Sequence, residues 1–188
     1  MQRKRMAVMI LALVLLLHLV AGTADAATQA QEYAGAQLRT LDILRGYEDG
    51  SLRLDNPIVR GEVATMVVRA LGYEDKSMAG SDFAFKDVPA SYWGYRNVQN
   101  AYKLKVVQGY PDGTFRPGNH ITYAEVVALM VNALGEGGNL TGSWPENYLN
   151  KAKALGVIPG NSAVNPSKIV TRGEMAVIVW DSLLVKKN

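Results

Sequence analysis

The stretch Gly109-Tyr110-Pro111-Asp112-Gly113-Thr114-Phe115-Arg116-Pro117-Gly118-Asn119-His120-Ile121-Thr122-Tyr123-Ala124-Glu125 joins two structural signals. The first is a tight turn: Pro111 presets φ, Asp112 bonds its own backbone, and Gly113 takes whatever conformation remains. The second is a helix start. Thr122 and Glu125 form a capping box, in which Thr accepts from the N3 amide and Glu reaches back to the N-cap amide. The apolar residues that follow, at 126, 129, 130, 133 and 134, keep helical spacing.

The same text occurs elsewhere in the chain. Residues 46–72 align without gaps on 109–135 with 13 identities in 27 positions, beginning with Gly46-Tyr47-x-Asp49-Gly50. A third, degenerate copy fits when two residues are dropped from its turn. Trp93, Val98, Ala101, Leu104 and Val106-Val107 are echoed by Trp144, Leu149, Ala152, Leu155 and Val157-Ile158, and Thr171-x-x-Glu174 repeats the capping box. The predicted repeats are ~30–72, ~83–135 and ~140–188, within the size range of repeat architectures. They leave no stretch for a catalytic domain.

Each copy reads as helix, loop, helix, with the first helix clearest at 94–105 and 145–155. The second helix is apolar nearly all round. Besides the main stripe (63, 66, 67, 70 and 71 in copy one; 175, 178, 179 and 183 in copy three), positions 64 and 68, 127 and 131, and 176 and 180 are apolar too. Such a helix is buried on most sides. The expected fold is all-α: three helix–loop–helix repeats in a pseudo-threefold, three-pronged bundle, with the second helices central and the first helices and turns outside.

The chain of 188 residues is 48% hydrophobic and 20% charged, with no Cys. Two units of its formal charge of +3 come from residues 1–26, where Asp25 offsets one of Arg3, Lys4 and Arg5. These precede an apolar run from Ala7 to Ala21 and the small-residue site Ala24-Asp25-Ala26, the pattern of a secretory signal over residues 1–26. The apolar run is shorter than the roughly 20 residues that span a bilayer. Residues 27–188 hold 17 basic and 16 acidic residues, which is no footprint for nucleic acid. Without Cys there is no lipid attachment and no disulfide. The expected product is an exported monomer, without membrane association after signal cleavage, held at any surface noncovalently.

Arg60 and Arg172 fall in the first turn of a second helix, where the macrodipole disfavours cations. Two readings stand. One is a surface salt bridge to a neighbouring carboxylate; the other is a guanidinium fork beside free helix amides, a receptor for a carboxylate or phosphate. Thr122, Glu125, Thr171 and Glu174 are read as structural caps. Copy one has Val59 at the cap, so Glu62 keeps half the box.

Phe85-Lys86-Asp87-Val88, Trp93, the turn from Gly109 to Pro117, Ile121-Thr122 and Ala124-Glu125, in that order, strongly resemble an S-layer homology (SLH) motif. Three in tandem, over residues ~30–188, resemble the wall-anchoring module of bacterial surface proteins. The resemblance implies a three-pronged helical domain that binds secondary cell wall polysaccharide, often bearing a pyruvate ketal on N-acetylmannosamine, in grooves between motifs. It implies a secreted, S-layer-associated location. It also assigns the Arg of a Thr-Arg-Ala-Glu signature to the ligand's acidic group. Arg172 matches that Arg directly, and Arg60 matches it within Val59-Arg60-Gly61-Glu62.

Three departures stand out: copy two has Tyr123 in place of the Arg, copy one has Ala30 in place of Trp93 and Trp144, and copy three has Gly160-Asn161-Ser162 in place of the turn. Trp93 and Trp144 are candidates to stack on a sugar, although the start of an amphipathic helix favours packing in the core. Tyr47 and Tyr110 either pack under the turn or line a groove. Asp49 and Asp112 read as turn residues. His120, the sole His after residue 26, sits in a polar loop; with no Cys beside it, neither metal nor cofactor is expected. The chain reads as a non-enzymatic carbohydrate-binding module. The alternative is an interaction module whose degenerate grooves dock another exported protein.

Overall fold

A computed structural model of the chain describes residues 27–74, 76–79 and 85–186. The secretory signal expected at 1–26 lies outside the described residues. The described residues form six helices: α1 (Gln29–Thr40), α2 (Arg60–Ala70), α3 (Tyr95–Lys103), α4 (Tyr123–Ala133), α5 (Glu146–Leu155) and α6 (Arg172–Leu183). No strand is assigned among the described residues, only isolated bridges. The fold is all-α, as the repeat pattern predicts.

The second helices α2, α4 and α6 pack on one another at the centre, and each carries one first helix on its outer side. That partner comes from the next copy: α3 covers α2, α5 covers α4, and α1 closes the circle on α6. The three prongs are therefore formed between copies. Val63, Val67, Val126, Val131, Met175 and Val179 are fully buried at the centre. Leu183, by contrast, is exposed, because α6 ends there.

The threefold axis is closed by a ring of backbone hydrogen bonds just before the second helices. Ile58 N donates to Val170 O (3.2 Å), Val170 N to Ile121 O (3.1 Å) and Ile121 N to Ile58 O (3.3 Å). All three side chains have no exposed surface. Each copy thus supplies one donor and one acceptor, and removing any copy would leave buried amide groups unpaired.

The turns are held by short-range polar contacts. Asp112 Oδ1 accepts from Thr114 N (3.0 Å), and Asp49 Oδ1 from Ser51 N (2.9 Å). Asp87 fastens the preceding segment to the turn of copy two, its carboxylate accepting from Phe115 N (2.8 Å) and Arg116 N (2.7 Å). His120 is exposed on the loop. No described helix is long and apolar enough to cross a membrane. No His, Cys, Asp and Glu cluster among the described residues has the arrangement of a metal site.

Candidate functional site: grooves at the repeat junctions

The first two amides of each second helix are taken by the neighbouring copy. Arg60 N and Gly61 N donate to Asn119 O (3.0 Å) and Pro117 O (2.9 Å). Arg172 N and Gly173 N donate to Asn56 O and Leu54 O, both at 2.8 Å. Thr122 and Thr171 then accept from the N3 amides of Glu125 (3.4 Å) and Glu174 (3.2 Å). The reading of free helix amides as part of an anion receptor is corrected here, because helix-start donors are satisfied across the junction. Copy one lacks the side-chain cap at Val59 and keeps only Val59 N donating to Glu62 Oε2 (3.2 Å).

The arginines cross the same junctions. Arg60 is 7% exposed and Arg172 4%, so neither makes the surface pair that their sequence position suggests. Arg60 Nη1 donates to Glu125 Oε1 (3.0 Å) and Nε to Phe115 O (3.0 Å). Arg172 Nη1 donates to Glu62 Oε1 (3.1 Å), Nε to Leu52 O (2.8 Å) and Nη2 to Arg45 O (3.0 Å). The capping glutamates are thus two-sided: one oxygen faces the cap amide, and the other takes the guanidinium of another copy. Side chains on a helix lean toward its N-terminus, which lets an Arg at the first helical position reach across.

Two cavities open beside these pairs. One, of about 290 Å³, is lined by Arg60, Gln108, Tyr110, Glu125, Asn132, Trp144 and Tyr148, among others. The other, of about 90 Å³, is lined by Arg172, Arg45, Glu62, Thr65, Arg69 and Trp93, among others. They occupy equivalent positions in the repeat alignment. Tyr110 OH donates to Glu125 Oε1 (3.0 Å), and burial raises the Tyr110 hydroxyl's pKa above its usual value. Tyr47 and Tyr110 are each flanked by two guanidiniums. Arg53 and Arg172 lie 4.0 and 5.0 Å from the Tyr47 ring centre, and Arg116 and Arg60 lie 4.0 and 4.9 Å from that of Tyr110. Such contacts orient ring and cation together.

Trp93 and Trp144 are 62% and 53% exposed. The expectation that they pack as core anchors is corrected. Val98 and Leu149 fill the core instead, and each indole leans on one ring, Trp93 on Tyr92 (5.3 Å) and Trp144 on Tyr148 (5.8 Å).

The third junction is chemically different. Tyr123 stands where the others have Arg, Asn161 where they have Tyr, and Ala30 where they have Trp. Its capping Glu174 pairs with Lys168 of its own copy. Burial raises the Tyr123 pKa, helped by the charges of Glu174 and Asp181, and burial also raises that of Asp181. Asp181 occupies the position of Asn132 and Arg69, so this junction gains a carboxyl where another holds a cation.

Six helices in three interlocked pairs, with polar and aromatic grooves at the junctions, define a tandem-repeat helical module. Residues 84–127 and 140–176 match the S-layer homology domain, so the chain carries two SLH motifs. The "Cell surface protein" of Thermoanaerobacter kivui is 40% identical over 155 residues, which are 81% of this chain and 20% of that protein. The "Middle cell wall protein" of Brevibacillus brevis is 35% identical over 150 residues, 79% of this chain and 14% of that protein. The "Cellulosome-anchoring protein" of Acetivibrio thermocellus is 28% identical over 156 residues, 74% of this chain and 35% of that protein. The chain thus spans about a third or less of each of these relatives.

Proposed function

We propose that the chain is a noncovalent anchor at the bacterial cell wall, exported after loss of residues 1–26. Its ligand is an acidic secondary cell wall polysaccharide, with a pyruvate ketal on N-acetylmannosamine as the acidic group. The first copy, ~30–72, supplies a third SLH motif. The observation that carries this reading is the groove where a buried guanidinium, Arg60, faces a cavity rimmed by an exposed indole, Trp144. A fixed cation pairs with the carboxylate, and the aromatic face covers the apolar side of the ring. SLH motifs and relatives named for the cell surface, cell wall and cellulosome anchoring support it.

Titration of tryptophan fluorescence with purified acidic wall polysaccharide tests the reading. A saturable change, lost when the acidic substituent is removed chemically, is expected. An identical response to the stripped polymer would contradict it. A second reading, docking of another exported protein, is favoured at the third junction, where Tyr123, Asn161 and Ala30 replace the arginine and aromatic residues. Pull-down from polysaccharide-free extract, lost on replacing Tyr123, tests that reading.

A further inference from the structure

Among the differences between the two arginine grooves are three changes of charge at aligned positions. Where the Arg60 groove has Gln108, Asn132 and Gly137, the Arg172 groove has Arg45, Arg69 and Glu74. Glu74 holds the two arginines together. Its Oε1 accepts from Arg69 Nε (2.8 Å) and Arg45 Nη1 (3.1 Å), and its Oε2 from Arg45 Nη2 (2.9 Å). Asp42 holds Arg45 from the other side, at 2.6 Å. Both arginines line the groove, which is reduced to about 90 Å³.

In the open groove, Asn132 instead turns inward, donating to Val106 O (3.2 Å) and accepting from Tyr148 OH (3.3 Å). Only glycine fits beside it, since a Cβ on Gly137 would lie 1.8 Å from Asn132 Oδ1. The guanidiniums differ in the same sense. All three nitrogens of Arg172 are bonded within the protein. Arg60 Nη2 has no partner among the described residues.

Resting on the wall-sugar reading, we infer that the chain binds an acidic sugar through the Arg60 groove alone, and that the Glu74 clamp on Arg45 and Arg69 keeps the Arg172 groove shut. Arg60 offers a free donor toward an incoming carboxylate, with Gln108 and Trp144 at the rim. Arg172 is a tie between copies, and the clamp residues determine valency. One groove per chain also means that firm retention needs several chains on one polymer.

The test is calorimetric titration of the purified chain with a synthetic N-acetylmannosamine glycoside bearing a pyruvate ketal. Because both tryptophans are exposed, Trp144→Ala and Trp93→Ala report on each groove without threatening the fold. The wild type is expected to bind one glycoside per chain. Trp144→Ala should weaken binding roughly tenfold or more, about 1.4 kcal/mol, and Trp93→Ala should leave it unchanged. The combined variant Arg45→Gln, Arg69→Asn, Glu74→Gly is expected to bind two, the second lost with Trp93→Ala. Two sites in the wild type, or loss through Trp93→Ala rather than Trp144→Ala, would overturn the single-groove inference while leaving the wall-sugar reading intact. No binding by any folded variant would overturn both.

Discussion

Arg60 Nη1 lies 3.0 Å from Glu125 Oε1, tying the first helical position of one copy to the capping carboxylate of the next. Arg172 and Glu62 repeat the relationship at 3.1 Å. The third junction substitutes a pair within one copy, Lys168 to Glu174, whose lysine is half exposed. Two of the three junctions are therefore locked by buried charge, and one is not.

Removing one partner of a buried pair leaves the other uncompensated, a loss of about 3 kcal/mol. Arg60→Met is expected to lower the melting temperature by roughly 6–12 °C at ~2–4 °C per kcal/mol. Lys168→Ala, at an exposed pair worth ~0–1 kcal/mol, should change it little. Thermal denaturation of both variants checks the contrast; equal effects would mean that the junctions are held by packing alone.

A backbone test is available at the turn. Gly109 has φ +77, and a Cβ there would lie 2.3 Å from a ring carbon of Phe85 and 2.9 Å from Thr114 O. Phe85 is buried against Phe115, ring centres 5.4 Å apart, and has no room to retreat. Gly109→Ala should cost more than the ~1–2 kcal/mol of left-handed strain alone. Gly118 has open space around its Cβ position and no positive φ. Gly118→Ala should be neutral or stabilising by up to ~1 kcal/mol. Chemical denaturation of the two variants measures the difference.

Acid should loosen the turns. The Asp112 pKa is lowered from 3.8 to about 2, first by the Thr114 hydroxyl and then by Arg116. Asp49 is lowered likewise to about 2, by the Ser51 hydroxyl and backbone and by Arg53. A folded pKa below the unfolded one stabilises above the unfolded value, and the contribution disappears as pH falls through the folded value. Melting temperature is therefore expected to drop between about pH 4 and 2. The double variant Asp49→Asn, Asp112→Asn should show a shallower drop in that window. An unchanged slope would place the acid sensitivity elsewhere.

Much of this fold is legible in the chain, because helix periodicity and capping are local signals. Thr122 with Glu125 and the apolar faces of α2, α4 and α6 announce themselves over a few residues. The exchange of first helices between copies is not local: nothing within α3 says that it packs on α2 rather than α4. The same limit hides the partner of Arg60, which lies 65 residues away, and that of Arg172, 110 residues away. The exposure of Trp93 and Trp144 is hidden for another reason, since the core positions of α3 and α5 are already filled by Val98 and Leu149. The clamp at Glu74 does have a sequence signal. Aligning copy one on copy two places Arg45, Arg69 and Glu74 opposite Gln108, Asn132 and Gly137, three changes from neutral to charged at one groove.

The most direct test of wall anchoring is co-sedimentation of the chain, without residues 1–26, with purified cell wall sacculi. It is run before and after extraction of the secondary polysaccharide, with soluble polysaccharide as competitor. Wall anchoring predicts sedimentation with intact sacculi, loss of it after extraction, and displacement by the competitor. A folded chain that stays in the supernatant with intact sacculi, or sediments equally with extracted ones, would contradict it.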